Sequence, residues 1–452
     1  MDKKNKENPL GSERVSKLMW NFALPSIIAM LVGALYNIID QLFIGHAVGE
    51  LGNAATNIAF PFSTSCLAIA LLFGIGGASC FNLTLGKGEK EQAPYYVGNA
   101  LCMLVICGIT LFLVTEIFLT PLLLVFGAPD NVLPYAQEYV RITAIGFPFM
   151  LLTTGGGHLM RADGSPKMTM FCNLLGAVIN TILDAVFVLG FGMGMKGAAI
   201  ATVIGQFISG MVVINYMHGY KTVPLHIKHF KLQWKYTGKI MAVGMASFFN
   251  QLSMMVVQIV LNNSLKYYGA LSVYGEATPL ACAGIVMKVS QVFFSIVIGI
   301  GQGTQPIESF NYGAKKYDRV KKAYKLAFFA GGSISLVAFL LFQIFPRQIL
   351  ALFGSGSESY YQFGESYFRV FLFFTFINFM QPITSTFFTS IGKAIKGVFL
   401  SLTRQIIFLL PLIIILPMYI GIDGILYAGL IADGLAAAVT GLMAYLEFRK
   451  MK

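Results

Sequence analysis

Charge is scarce in this chain: Asp, Glu, Lys and Arg make up 12% of its 452 residues. Soluble domains carry roughly 25%, so a fold that relies on a charged shell in water is excluded. Cysteine is scarce as well. All six (Cys66, Cys80, Cys102, Cys107, Cys172, Cys282) lie inside or at the ends of apolar runs, where they read as small packing residues and not as a disulfide framework or metal cluster. A Gly-rich phosphate loop ending in Lys-Ser/Thr is missing, which argues against direct use of ATP. The Gly-rich stretches Gly74–Gly77, Gly155–Gly157 and Gly299–Gly303 fall within apolar runs, where close helix packing or local unwinding is their ordinary role. No enzymatic activity and no cofactor are expected.

What the chain has is apolar surface, with 56% hydrophobic residues and a mean hydropathy of +0.71. Twelve long runs are each near the roughly 20 residues a helix needs to cross hydrocarbon. They cover 18–44, 54–84, 94–125, 133–159, 168–191, 197–217, 237–265, 275–310, 320–346, 359–391, 394–419 and 424–447. They are continuous and lack period-two alternation, which favours helices over a β-barrel. The fold class is therefore an all-α integral membrane protein of twelve transmembrane helices.

The net charge of +12 is distributed as a topology signal and not as a nucleic-acid footprint. Of 32 Lys and Arg, 25 fall in the termini and alternate loops, against three in the opposite loops (Lys196, Lys266, Arg347). Basic loops stay on the cytoplasmic side, so both termini are expected there, in a multi-pass protein of the plasma membrane. The basic rim suits anionic lipid headgroups.

The chain also repeats itself. Gly74-Ile75-Gly76 precedes Gly299-Ile300-Gly301 by 225 positions, as Gly88-Glu89-Lys90 precedes Gly313-Ala314-Lys315. Phe126-Gly127-Ala128 precedes Phe353-Gly354-Ser355 by 227, and Tyr139 and Arg141 match Tyr367 and Arg369 at 228. An offset of six helices gives two pseudo-symmetric six-helix lobes of the same orientation, related by an axis along the membrane normal. The expected division is a tail over 1–17, a first lobe over 18–217, a linker over 218–236 and a second lobe over 237–448. The linker carries His218, His226 and His229 at irregular spacing, a poor match to a metal site. Such duplicated lobes suit a carrier that rocks between two open states.

The residues with chemistry to offer are carboxylates deep in the runs, since a charge at the bilayer centre costs roughly 2.5–3.5 kcal/mol on insertion scales. Asp40 has Tyr36 and Asn37 on its own face. Asp184 follows Asn180 and Asn173 by 4 and 11 residues, one helical stripe, and Thr202 and Gln206 are a turn apart on the next run. These oxygens suit a hard monovalent cation such as Na⁺, and paired carboxylates also suit H⁺. The second lobe has amides instead, among them Gln251, Gln258, Asn378 and Gln381, which are candidates for a substrate path or for interhelical glue. Glu308 and Asp433 are further in-span acids, Asp433 a possible second coupling acid.

Together these features resemble the multidrug and toxic compound extrusion (MATE) family, in its bacterial DinF-like and MepA-like branches, over about residues 15–448. The resemblance rests on the Pro25-containing first helix ending in Tyr36-Asn37-Ile38-Ile39-Asp40, the paired Gly-Ile-Gly segments followed by Gly88 and Gly313, Arg161-Ala162-Asp163-Gly164, and Asn180 to Asp184. It implies two lobes around a central cavity and export of amphipathic, often cationic small molecules driven by inward H⁺ or Na⁺. It also implies a cation site in the first lobe at the positions of Asp40, Asn180, Asp184 and Thr202. The acidic seventh-helix site of the NorM-like branch is not matched, because Gln251 and Gln258 are neutral. A monomer in contact with membrane lipids is expected. A lipid-linked oligosaccharide flippase of the wider superfamily is the alternative, and a passive channel or receptor a weaker one.

Overall fold

The computed structural model describes residues 8–275, 277–353 and 357–451. The first seven residues of the expected tail, and Gly354 and Ser355 of one repeat match, lie outside the described residues. The described residues are helical, with no strand among them. The first half contains α1 (Val15–Val48), α2 (Glu50–Gly86), α3 (Ala93–Ile117), α4 (Leu133–Ala144), α5 (Phe147–Ala162), α6 (Pro166–Asp184) and α7 (Gly194–His218). The second contains α8 (Trp234–Ala270), α9 (Ala277–Gly313), α10 (Tyr317–Ile344), α11 (Glu358–Ser366), α12 (Met380–Ser390), α13 (Ala394–Leu402), α14 (Leu410–Ile420) and α15 (Asp423–Lys450).

Among the described residues, ten helices are long and apolar enough to cross a membrane, and an eleventh span is bent by 45° between Glu358–Phe371 and Thr375–Ser390. The twelfth is α4 and α5, broken at Ile145-Gly146. Proline accounts for the α4–α5 break, because its ring clashes with the carbonyl four residues earlier and it donates no hydrogen bond: Pro148 sits four residues after the end of α4. The 45° bend falls at 372–374, where the sequence has no proline, and Pro382 accounts only for the further interruption after Asn378. Proline also shortens the run expected over 94–125 and ends that expected over 320–346 two residues early. Pro121 stops α3 at Ile117 and Pro346 stops α10 at Ile344. A seven-residue helix follows in each case, Leu119–Val125 and Pro346–Leu352.

These paired breaks confirm the duplication and correct its register. Phe118 and Phe345 start the short helices at an offset of 227. Gly86 and Gly313 end α2 and α9 at the same offset, and Lys315 (φ 58°) takes the left-handed position of Gly88 (φ 84°). The 225 read from the Gly-Ile-Gly and Gly-Glu-Lys pairs is thus two residues short.

The two most extensive helix pairings cross between the halves, α2 with α8 and α1 with α9. Glycine permits both. A Cβ on Gly76 would lie 2.1 Å from the Ile240 carbonyl oxygen, and one on Gly244 1.9 Å from that of Leu72. The second pairing repeats this geometry with Gly299 on Ile27 and Gly303 on Ala23. Among the described residues every hydrogen bond joining the halves lies toward the end with the basic loops, including Gln305 to Ser79 (2.8 Å) and Asn311 to the Leu10 carbonyl (2.8 Å). From Asn8 onward the expected tail is folded. Leu10 and Val15 are buried with Leu18 and Phe22 in a core shared with Ile307, Val320 and Phe387 of the second half.

Candidate functional site

The first half brings three helices together around two acids. Small residues let α6 and α7 approach: a Cβ on Gly205 would fall 2.8 Å from the Gly176 carbonyl oxygen, and Ser209 donates to the Cys172 carbonyl at 3.0 Å. That approach lets the Asn180 amide donate to the Thr202 hydroxyl at 3.2 Å. Asp184 ends α6, at the start of a wider π-helical turn over Ala185–Gly190, and has no exposed surface. Opposite stands α1, with Asp40 buried and Tyr36 one turn before it. The Asp40 and Asp184 carboxyls face each other, and Tyr36 lies beside both acids and Thr202.

The pocket holds acceptors in excess of donors. Asp40 Oδ1, both Asp184 oxygens, Asn180 Oδ1 and Gln206 Oε1 are buried and accept no hydrogen bond. Neither aspartate pairs with a Lys, Arg or His among the described residues. Buried polar groups are ordinarily satisfied, and two unpaired buried carboxylates are costly. The donor set of carboxylate, amide and hydroxyl oxygens fits a hard monovalent cation or a shared proton. Among the described residues no cluster of three His, Cys, Asp or Glu side chains could hold a metal ion of another class.

The remaining candidates divide. Gln206 sits over the α4–α5 break, its Oε1 2.1 Å from where a Gly146 Cβ would stand. Asn173 is half-buried but lies 11 residues from Asp184, about 16 Å along the helix, outside the pocket. Asn37 is exposed and donates to the Gly33 carbonyl of its own helix at 3.0 Å. Tyr139 of α4 was not among the candidates, yet it lies beside Asp40, Tyr36, Asp184 and Thr202. Its match to Tyr367 in the repeat was the available signal.

In the second half, Asn378 donates to Asp433 at 2.8 Å and Gln381 to the Leu400 carbonyl at 2.8 Å. Gln258 donates to Asn262 of its own helix at 3.0 Å, and Gln251 is half-buried. The four amides are not gathered into one site. Asp433 is fully buried and paired with Arg404 at 2.5 Å, so its charge is neutralised within the protein. Glu308 is also buried, and no Lys, Arg or His pairs with it among the described residues. Of the linker histidines, His229 is structural and buried: its Nδ1 accepts from the His226 amide at 3.0 Å, and Asn99 of α3 donates to its carbonyl at 3.2 Å, while His218 and His226 are exposed.

This arrangement has counterparts among known proteins. The chain is 24% identical over 433 residues to "Multidrug export protein MepA" of Staphylococcus aureus (strain N315), covering 96% of this chain and 94% of that protein. It is 24% identical over 442 residues to the protein of that name from Staphylococcus haemolyticus (strain JCSC1435), covering 95% and 93%. Its fold superposes with a TM-score of 0.91, at 23% identity and over the full length of both chains, on a solved structure described as the outward-facing conformation of a multidrug resistance MATE family transporter. The MatE family model matches residues 25–186 and 246–415, one segment in each half. The chain belongs to the MatE family.

Proposed function

We propose that this protein is a secondary active exporter that exchanges amphipathic, often cationic small molecules for inward H⁺ or Na⁺ by rocking of its two halves. The observation that carries this reading is the pair of facing carboxylates, Asp40 and Asp184, buried without a cationic partner beside the unpartnered Asn180 oxygen. A purely structural acid is expected to look like Asp433, which is held by Arg404 and Asn378. Asp40, Asn180, Asp184 and Thr202 would hold the coupling ion, with Tyr36 and Tyr139 at its rim.

The charge state then controls which arrangement is stable. Two unpaired carboxylates resist enclosure in a dry pocket, and a proton or Na⁺ removes that cost. With both termini in the cytoplasm, as the basic loops favour, the glycine-mediated seal at the basic end would close the cytoplasmic side, as an outward-facing state requires. Ions entering from outside would load the pocket, drive substrate release outward and permit closure over a neutral site. S. aureus and S. haemolyticus relatives named for multidrug export support an amphipathic substrate class.

The deciding experiment is flux of a fluorescent organic cation in proteoliposomes of the purified protein. An imposed H⁺ or Na⁺ gradient should drive uptake against the substrate gradient, and the effective gradient identifies the ion. Flux that follows only the substrate's own gradient would indicate a passive pore.

A further inference from the structure

We propose that a cavity at the basic end, remote from the acid pocket, binds a phosphate-bearing amphiphile through Lys90, Lys167 and Lys221. The cavity holds about 1150 Å³ and lies between the N-terminal segment, the α2–α3 turn, the start of α6 and the chain after α7. Its volume is far larger than an inorganic ion needs and suits a molecule with an apolar body. Leu10, Leu85, Met168 and Phe310 form apolar wall, while the three lysines come from three separate segments and are exposed. None of the three pairs with a carboxylate among the described residues.

The two acids that line the cavity are already engaged. Glu13 pairs with Lys17 at 3.2 Å. The Asp163 carboxylate accepts from the Tyr216 hydroxyl and the Lys221 and Thr222 amides, each at 2.7 Å. Positive charge is therefore left in excess. Two further features favour an anion. The N-terminus of the 19-residue α6 opens on the cavity at Pro166, bringing the positive end of its dipole. Ser165, which also lines the cavity, is 5% exposed and its hydroxyl has no hydrogen-bond partner. Lysine clusters beside an apolar surface recognise the headgroups of anionic lipids, and the same groups would take a soluble phosphate ester.

Native mass spectrometry of the full-length protein in detergent, titrated with phosphatidylglycerol or phosphatidylcholine, tests the site. Phosphatidylglycerol should be retained at least tenfold more tightly. The triple variant Lys90→Gln/Lys167→Gln/Lys221→Gln should lose about 100-fold, roughly fivefold per lysine. Ser165→Ala should lose severalfold, and a control Lys228→Gln/Lys235→Gln/Lys325→Gln should change little. Competition by glycerol 3-phosphate, or its direct binding by calorimetry with the same lysine dependence, would identify a soluble ester as the ligand; lipid binding without competition would identify the headgroup. Equal retention of both lipids, equal losses in the test and control variants, or no binding of any probe would overturn the proposal.

Discussion

Asp184→Asn separates a coupling acid from a structural one through the sign of its effect on stability. Both Asp184 oxygens lack hydrogen-bond partners, so the amide forfeits no bond, keeps the volume and removes one of two facing charges. Its new N–H also has an acceptor within reach in Asp40, whose Oδ1 is likewise unpartnered. A hydrogen bond to a charged group contributes roughly 1.5–3 kcal/mol. The variant should therefore unfold at the same temperature as the parent or slightly above it in detergent at pH 8, by scanning fluorimetry. Coupling should fail. A two-unit pH gradient, or a 100-fold Na⁺ gradient, is worth about 2.7 kcal/mol per ion and supports up to ~100-fold substrate accumulation in a one-for-one exchange. The variant should accumulate substrate about onefold in proteoliposomes. Asp40→Asn should behave alike, its own bond to Asp184 replacing the repulsion. A variant several degrees less stable, with transport lost only in proportion to folded protein, would show that Asp184 merely ties helices together. Undiminished gradient-driven transport by both variants would remove these acids from the mechanism.

The second half should respond in the opposite way: Arg404→Ala strands the buried Asp433 charge and should cost about 3–5 kcal/mol, while Arg404→Met/Asp433→Leu should recover most of it in the same unfolding assay. Gly76→Ala or Gly244→Ala pushes a methyl into a backbone carbonyl of the partner helix and should destabilise the closed basic end by about 1–3 kcal/mol. Spin labels at Lys87 and Lys316 should then move apart, and unchanged distances would refute the seal. For topology, cysteines at Lys231 and Lys316 should react with an impermeant thiol reagent only in inverted vesicles, and those at Gly49 and Asp130 only in intact cells; external labelling at Lys231 would reverse the orientation.

Much of this architecture was legible because the membrane imposes one dominant rule, a run of apolar residues for each crossing. The acid pocket was legible for a related reason. A carboxylate in such a run is conspicuous, and Asn180 and Asp184 on one stripe of α6 disclose which face matters. Hydropathy is blind to the helix breaks, since Pro121, Pro148, Pro346 and Pro382 sit in runs as apolar as their neighbours. Yet those prolines end α3 and α10, divide the fourth span and interrupt the tenth after Asn378, and the 45° bend at 372–374 has no proline to disclose it. Partnerships between helices were hidden as well. Asp433 and Arg404 are 29 positions apart, and nothing in either segment discloses that one neutralises the other while Asp40 and Asp184 share no cation. Tyr139 was missed because aromatic residues are too common here to single one out.

The duplication sharpens that asymmetry. Both halves carry matching helix breaks and paired glycine contacts across the interface, so the shared features are those that let two lobes seal at one end. The features that differ are ionic. In the first half, helices α1 and α6 bring two carboxylates together without a counterion. In the second, Arg404 and Asn378 satisfy Asp433, Lys393 and Lys396 pair with buried Glu447 near the end of α15, and Glu308 is a single buried acid with no ion-pair partner among the described residues. A paired acid such as Asp433 or Glu447 has no reason to prefer one ion occupancy over another, whereas two facing acids without a counterion must change stability when an ion arrives. If both halves rock about the common seal, the first is therefore where ion free energy enters. The Asp433–Arg404 pair has no part in that step, and neutralising both together should leave the ion dependence of transport intact.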